Sequence, residues 1–219
     1  MKVIALIPTL NEEQGIAEVV RGFKKVGIRE IIVADGGSDD KTRKVAQGAG
    51  AKVINVPRGK GNGFRSALQQ IKIEDNTVYV MIDGDASYNP EEVGKLLKQM
   101  GRNDIVTGSR QILIHGFRSF IHVLGGQLIS WLGSLLFWHW NPDICTGYWA
   151  FRGKALKKLK QQLTAKKFEL EADLFSTACK LKLSHTSVPV SYAKRKGESK
   201  LMFTDALKIL LKIIEARFS

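Results

Sequence analysis

Apolar positions along the first hundred residues alternate between short continuous runs and helical spacing. Residues 2–7 (KVIALI), 29–34 (REIIVA), 52–56 (KVINV) and 78–82 (VYVMI) are strand-length runs rich in β-branched side chains. Between them, Ile16, Val19, Val20 and Phe23 recur at i, i+3, i+4 and i+7, which predicts a helix with one apolar face. Asn11 is the expected N-cap of that helix, with Glu12 and Glu13 suiting its positive first turn. Val45, Ala46 and Ala49 predict a second helix closed by Gly50. Residues 64–71 predict a third, and Val93, Leu96 and Leu97 behind Pro90 a fourth. Strand and helix thus alternate four times, the pattern of an α/β domain with a mostly parallel sheet and helices on both faces. Two further apolar runs, 104–107 and 186–192, add strands in the second half. The 219 residues suit a single domain, residues 1–110 forming one half and 111–219 the other.

The polar clusters fall where these strands end. Pro8-Thr9-Leu10-Asn11-Glu12 follows the first, Asp35-Gly36-Gly37-Ser38-Asp39-Asp40 the second and Asp83-Gly84-Asp85 the fourth. Ligands of open α/β sheets bind outside the carboxyl ends of the strands, so a shared edge points to a nucleotide site. Two carboxylates one residue apart suit a hard cation carried by a diphosphate; the competing reading is an acidic turn. The loop Arg58-Gly59-Lys60-Gly61-Asn62-Gly63 is neither a Walker loop nor a dinucleotide fingerprint. Lys60 and Arg65 are still placed to meet phosphate at a helix N-terminus, unless they are solvated loop charges.

Charge narrows the partners. With 34 Lys+Arg against 21 Asp+Glu the chain carries +13, which favours anionic partners without choosing among nucleic acid, acidic lipid and phosphorylated substrate. No helix-turn-helix, zinc spacing or aromatic RNA-binding signature supports nucleic acid. Cys145 and Cys179 make no disulfide framework and no metal motif, and a reducing cytosolic setting is expected. Cys145 and His139 read as structural.

These motifs, in order and spacing, resemble family 2 glycosyltransferases of the GT-A fold, a Rossmann-like architecture. The second half is similar to dolichol-phosphate mannose synthases and related polyprenyl-phosphate glycosyltransferases. The residues that carry this are Gly108-Ser109-Arg110, Thr146 to Arg152, Phe168-Glu169-Leu170-Glu171 and Val188-Pro189-Val190 through Gly197-Glu198-Ser199-Lys200-Leu201. The resemblance implies a nucleotide-sugar donor of the GDP-mannose or UDP-glucose type, a polyprenyl phosphate acceptor, inversion at the sugar, and Mg2+ or Mn2+ as cofactor. Pro8, Thr9, Asn11, Glu12, Asp35, Gly37 and Asp39 would hold the nucleoside, with Lys60, Gly61, Arg65, Asp83 and Gly84 completing the nucleotide site. Asp83 and Asp85 would meet the metal, Asp85 with a catalytic role. Mannose synthases commonly read Asp-Ala-Asp-Leu-Gln here; this chain has Asp-Gly-Asp and Ser87 in place of the glutamine, which leaves a third metal ligand unassigned. A soluble family 2 enzyme acting on a small phosphorylated or glycan acceptor is the alternative.

Transfer to a phosphate needs no strong base, because the acceptor oxygen is already anionic. It needs cations where two phosphates approach, with arginine suited to forked contact. Arg110, Arg118, Arg195 and Lys200 are the candidates, with Ser199 as a donor; Arg110 is expected just past the strand at 104–107. Glu171 would position rather than deprotonate. Finally, residues 119–140 hold no Asp, Glu, Lys or Arg, and by length qualify as a membrane span. One crossing would put Arg110 and Thr146–Arg152 on opposite sides of the bilayer. The stretch instead pairs a small, polar stripe (His122, Gly126, Ser130, Ser134) with an apolar one (Leu124, Leu128, Trp131, Leu135, Trp138). An interfacial helix over about 117–140, or a pair broken at a glycine, is expected, with a buried helix or a homodimer contact as the competing readings. A second is expected at 203–218 with Phe203, Leu207, Leu210, Leu211, Ile214 and Phe218 on one face. No span follows, so the expected location is peripheral, on the cytoplasmic face of a membrane.

Overall fold

A computed structural model describes residues 1–111, 117–198 and 203–218, with the side chains of these outside 117–123 and 203. Among the described residues seven strands form one sheet: β1 (Lys2–Thr9), β2 (Glu30–Asp35), β3 (Lys52–Asn55), β4 (Thr77–Met81), β5 (Ile105–Gln111), β6 (Trp149–Arg152) and β7 (His185–Ser191). Their order is β3-β2-β1-β4-β6-β5-β7. Helices α1 (Ile16–Lys25), α2 (Thr42–Gly48), α3 (Lys60–Gln70) and α4 (Val93–Gln99) belong to the first half. The second half has α5 (Phe117–Phe137), α6 (Gly153–Gln162), α7 (Leu170–Lys180) and α8 (Phe203–Phe218).

The sheet is parallel except for β6, which runs antiparallel between β4 and β5. Both faces are covered. Ile16, Val19, Val20 and Phe23 of α1 pack with Val80 and Leu96 on one side. Phe64, Leu68, Tyr79, Trp149, Phe151 and Phe175 fill the other. A sheet buried on both faces has strands of continuous rather than alternating apolar residues, as in β4, where all five are buried. The expected α/β architecture is therefore the observed one, and it is the GT-A-like arrangement.

Four local expectations are corrected. Asn11 does not cap α1, which starts after Gly15. Its backbone adopts a φ of 52°, its amide donates to Ser38 Oγ (2.9 Å), and its Oδ1 accepts from the Asp39 amide (2.9 Å), so it joins the loops after β1 and β2. The glycine-rich segment is not a loop before α3, because Lys60 and Gly61 already lie in its first turn. Arg110 lies inside β5, which is longer than 104–107. Finally, Trp149–Arg152 forms a strand where the sequence offered only a motif. Its antiparallel entry brings residues 146–148 to the carboxyl edge of β4, with Met81 paired to Trp149.

Helix α5 is built inside out. Ser130 and Ser134 are buried at 0% and 7% exposure, while Leu128 and Trp131 are 69% and 61% exposed. Ser130 Oγ accepts from the Ile144 amide and Ser134 Oγ from the Asn141 amide, both at 3.0 Å. The polar stripe thus satisfies the backbone of the 141–144 segment, and the apolar stripe faces outward. Helix α8 is apolar on both sides: Ile209 and Ile213 are buried, while Leu207, Leu211, Ile214 and Phe218 are exposed. Among the described residues no helix is long and apolar enough to cross a membrane. Phe203 and His122 have side chains outside the described set.

Candidate active site

Because β1, β2, β4, β5 and β7 are parallel, their carboxyl ends meet at one edge, and β6 starts there. Asp83 and Asp85 follow β4 into this edge. Asp85 is nearly buried, and its Oδ1 accepts from both the amide (2.9 Å) and hydroxyl (2.6 Å) of Ser87. Ser87 therefore fixes the carboxylate that a glutamine accompanies in the resembling enzymes. The other oxygen, Oδ2, faces Arg195 Nη1 at 3.5 Å. Arg195 Nη2 also donates to Glu12 Oε1 at 2.9 Å, and the Lys196 amide donates to the Asp85 carbonyl. The segment after β7 is in this way strapped across the acidic pair, with Arg195 joining it to the end of β1.

Asp83 is held on two sides. Its Oδ1 lies 2.6 Å from Lys60 Nζ. Its Oδ2 lies against Gly147, where a Cβ would overlap the carboxylate, so any side chain at 147 would displace Asp83. Gly84 is constrained similarly: a Cβ there would sit 2.6 Å from Thr9 Cγ2. Lys60 Nζ also meets Glu171 Oε1 at ion-pair distance. Burial works against the Lys60 charge, but Asp83 and Glu171 outweigh it and hold the ammonium well above its usual range. Burial pushes the Glu171 acid up, and Asp83 adds to this against the pull of Lys60.

The three acidic residues around the start of α7 divide by helix face. Asp173 Oδ2 accepts from the Thr164 and Ala165 amides (both 2.7 Å), and Glu169 Oε1 accepts from those of Lys166 and Lys167. Both hold the 164–167 turn, and only Glu171 faces the site. That turn in turn closes the end of α3: Gly61 and Asn62 donate to the carbonyls of Lys167 and Lys166 at 3.0 and 2.9 Å. A Cβ on Gly61 would lie 2.5 Å from Ala165 O. The amides of Gly61 and Asn62 therefore hold the turn, and Arg65 donates to Thr164 O (3.3 Å).

On the nucleoside side, Asp35 is fully buried and its carboxylate is committed to its own loop. It accepts from the Gly37 and Ser38 amides and the Ser38 hydroxyl. Asp35 and Gly37 thus shape the loop, and Arg43 Nε lies 3.6 Å from the same carboxylate. Asp39 is exposed at its rim, 3.3 Å from Arg58. Pro8 and Thr9 end β1 beside it.

On the acceptor side, Arg110 forks onto Asp143 through Nε and Nη2, both at 2.7 Å, and its guanidinium lies 5.3 Å from the Tyr192 ring centre. Asp143 also accepts from the Arg110 amide (3.0 Å). The forked contact expected for a phosphate is thus made by Asp143. Asp143 escaped the sequence reading, although a lone acid between an apolar stretch and Thr146-Gly147 was a usable signal. Tyr88 was also missed: its buried hydroxyl accepts from the Gly147 amide at 2.7 Å and sets the glycine against Asp83. Arg118 lies in α5 with its side chain outside the described set, and Ser199 and Lys200 are outside the described residues. Cys145 is paired with no other cysteine, and burial pushes its thiol up to about 12, in keeping with a structural role.

The donor set fits a hard divalent ion. Asp83 and Asp85 offer carboxylate oxygens from one strand end, as Mg2+ and Mn2+ prefer. Among the described residues no three His, Cys, Asp or Glu side chains gather to hold an ion unaided. The remaining ligands would have to come from a diphosphate and water, the usual manner of a nucleotide-borne ion.

A mostly parallel sheet with an acidic pair at the end of its fourth strand, facing basic residues, is the arrangement of an α/β enzyme whose site lies at the carboxyl edge. The profile of glycosyl transferase family 2 matches residues 4–160, and the chain belongs to that family and is a glycosyltransferase. It is 31% identical over 197 residues to glycosyltransferase AglJ of Haloferax volcanii, covering 88% of this chain but only 63% of that relative. It is 30% identical over 199 residues to a dolichyl-phosphate hexose transferase of the same organism, covering 88% of this chain and 83% of the relative. Among solved structures, glucosyl-3-phosphoglycerate synthase from Mycobacterium tuberculosis, in complex with Mn2+, UDP-glucose and phosphoglyceric acid, superposes with a TM-score of 0.77. The identity is 21%, over 99% of this chain and 80% of that one.

Proposed function

We propose that the protein transfers a hexose, mannose or glucose, from a nucleotide sugar to a polyprenyl phosphate at a membrane surface, with inversion and with Mg2+ or Mn2+. The observation that carries this reading is the placement of the inside-out helix beside the acceptor arginine. Arg110 Nη2 lies 3.9 Å from where a Gly126 Cβ would stand, so α5 passes directly over Arg110 while Leu128, Trp131 and Leu135 face away from the protein. A phosphate carried on a lipid would approach across that face. The dolichyl-phosphate and undecaprenyl-phosphate transferases among the relatives support the acceptor class. The Mn2+ and UDP-glucose of the solved neighbour support the donor and ion classes.

In this reading Asp83 and Asp85 hold the ion, which when bound neutralises the diphosphate and makes it a better leaving group. Ser87 and Tyr88 fix the positions of these acids. Lys60 and Arg195 face the donor and acceptor phosphates, and Arg110 lends positive charge on the membrane side, held by Asp143. The lipid phosphate oxygen attacks the anomeric carbon from the face opposite the departing diphosphate, so no side chain has to accept a proton. Glu171, paired with Lys60, positions that lysine.

A transfer assay tests the reading. Purified protein is given GDP-mannose, UDP-glucose or UDP-N-acetylglucosamine with Mg2+ or Mn2+, and either polyprenyl phosphate in vesicles or 3-phosphoglycerate in solution. Glycosylated lipid from one donor is the expected product. Turnover on the soluble acceptor alone would instead support the reading suggested by the acceptor of the solved neighbour.

A further inference from the structure

Lys60 holds two carboxylates that sit on different elements, and transfer itself calls for only one of these contacts. Nζ is 2.6 Å from Asp83 Oδ1 and pairs with Glu171 Oε1 on α7. The Lys60 backbone cannot follow a ligand, since the start of α3 is closed by the carbonyls of Lys166 and Lys167. Its side chain can, being a four-carbon stem with three rotatable donors. Asp83 Oδ1, which Lys60 Nζ holds at 2.6 Å, is an oxygen that an incoming ion and Lys60 would contest.

We propose that Lys60 is a resident cation that occupies Asp83 while the donor site is empty. When the divalent ion and diphosphate enter, it withdraws to Glu171, from where its ammonium faces the diphosphate. The exchange rests on the donor site proposed above. It gives Glu171 a defined duty as the second berth of Lys60, a positioning residue with no proton to accept. It also makes ion uptake depend on the nucleotide. The free ion must displace an ammonium from Asp83, whereas the ion arriving with a diphosphate brings the anion that Lys60 next faces.

The test uses the full chain and free Mn2+ measured by electron paramagnetic resonance, without and with UDP or GDP. The decisive variant is the Lys60→Met/Glu171→Gln pair, which removes one positive and one negative charge and so leaves the local net charge as it was. With Asp83 uncovered, Mn2+ without nucleotide should bind about tenfold tighter than in wild type. The Mn2+–nucleotide complex should bind about tenfold weaker, because the ammonium is gone. Glu171→Gln alone should weaken the nucleotide complex yet add nothing once Lys60 is methionine, as expected for a residue acting through another. Lys60→Arg should keep both affinities near wild type. Unchanged or weaker Mn2+ binding by the folded pair variant would overturn the exchange while leaving the donor site intact. Wild-type protein that binds no Mn2+ even with UDP or GDP would overturn both.

Discussion

The carboxyl edge of the sheet and the outer face of α5 and α8 follow opposite rules. At the edge, apolar strands stay inside and polar groups gather at their ends, satisfied by neighbours: Asp35 by its own loop, Asp85 by Ser87, Arg110 by Asp143. On α5 and α8, serines and an aspartate are buried beside a few isoleucines, while leucines, Trp131 and Phe218 face out. An exposed apolar face of that kind is costly in water and marks a surface meant for another phase or partner. In the function proposed above, the contrast separates two tasks: the edge serves ions and phosphates, and the outer helix face an apolar neighbour.

The largest effect that would sharpen this division is at the edge. Asp85→Asn should lower transfer by about three orders of magnitude, the scale on which a preorganised electrostatic group acts, with the thermal midpoint nearly unchanged. Metal-dependent turnover near wild type would contradict the assignment. Next, Leu128→Glu with Trp131→Glu should weaken vesicle binding by about two orders of magnitude, since each apolar side chain transferred from water contributes about 1.5–3 kcal/mol. The same pair should leave the folded protein as stable as before, because both side chains are already exposed. If the pair unfolds the protein, the outward face is a packing face after all.

A pH effect comes third. His185 is buried among Trp149, His139 and Phe175, and burial, with His139, pushes its imidazole down to about 3. The unfolded chain therefore binds a proton between about pH 6.5 and 3 that the folded chain refuses, so stability falls as pH drops through that window. Between pH 7.5 and 5 the loss should reach about 2 kcal/mol, read from urea midpoints, and shrink in His185→Gln. A midpoint that does not move would refute the burial. The smallest effect belongs to Ser134→Ala, which leaves the Asn141 amide without its acceptor inside the protein and should cost about 1–2 kcal/mol. On an ordinary exposed polar stripe the same change would be nearly silent.

Much of the fold is legible in the sequence, for identifiable reasons. Four βα units announce themselves because buried parallel strands are continuous apolar runs, and Asp83-Gly84-Asp85 follows one of them. The reversed stripe of α5 was also visible, since serine and glycine recur four apart. What stayed hidden depends on contacts distant in the chain. Nothing local marks Trp149–Arg152 as a strand, because its pairing is supplied by β4 and β5. Asn11 looks like a cap, and only the neighbouring loop after β2 shows that it ties two loops together. The close approach of the 164–167 turn to Gly59 and Gly61 leaves no mark in the sequence either. The pairing of Lys60 with Glu171 likewise belongs to the fold rather than to any motif.

The central claim is that the chain works on a lipid phosphate with α5 lying in a membrane surface, and its four tryptophans report on this directly. Trp131, Trp138 and Trp140 are exposed, whereas Trp149 is buried in the core. Vesicles with brominated acyl chains should quench the first three and shift their emission to the blue, while a variant keeping only Trp149 should show neither change. Exposed tryptophans that remain unquenched and red-shifted in the presence of polyprenyl-phosphate vesicles would contradict the claim.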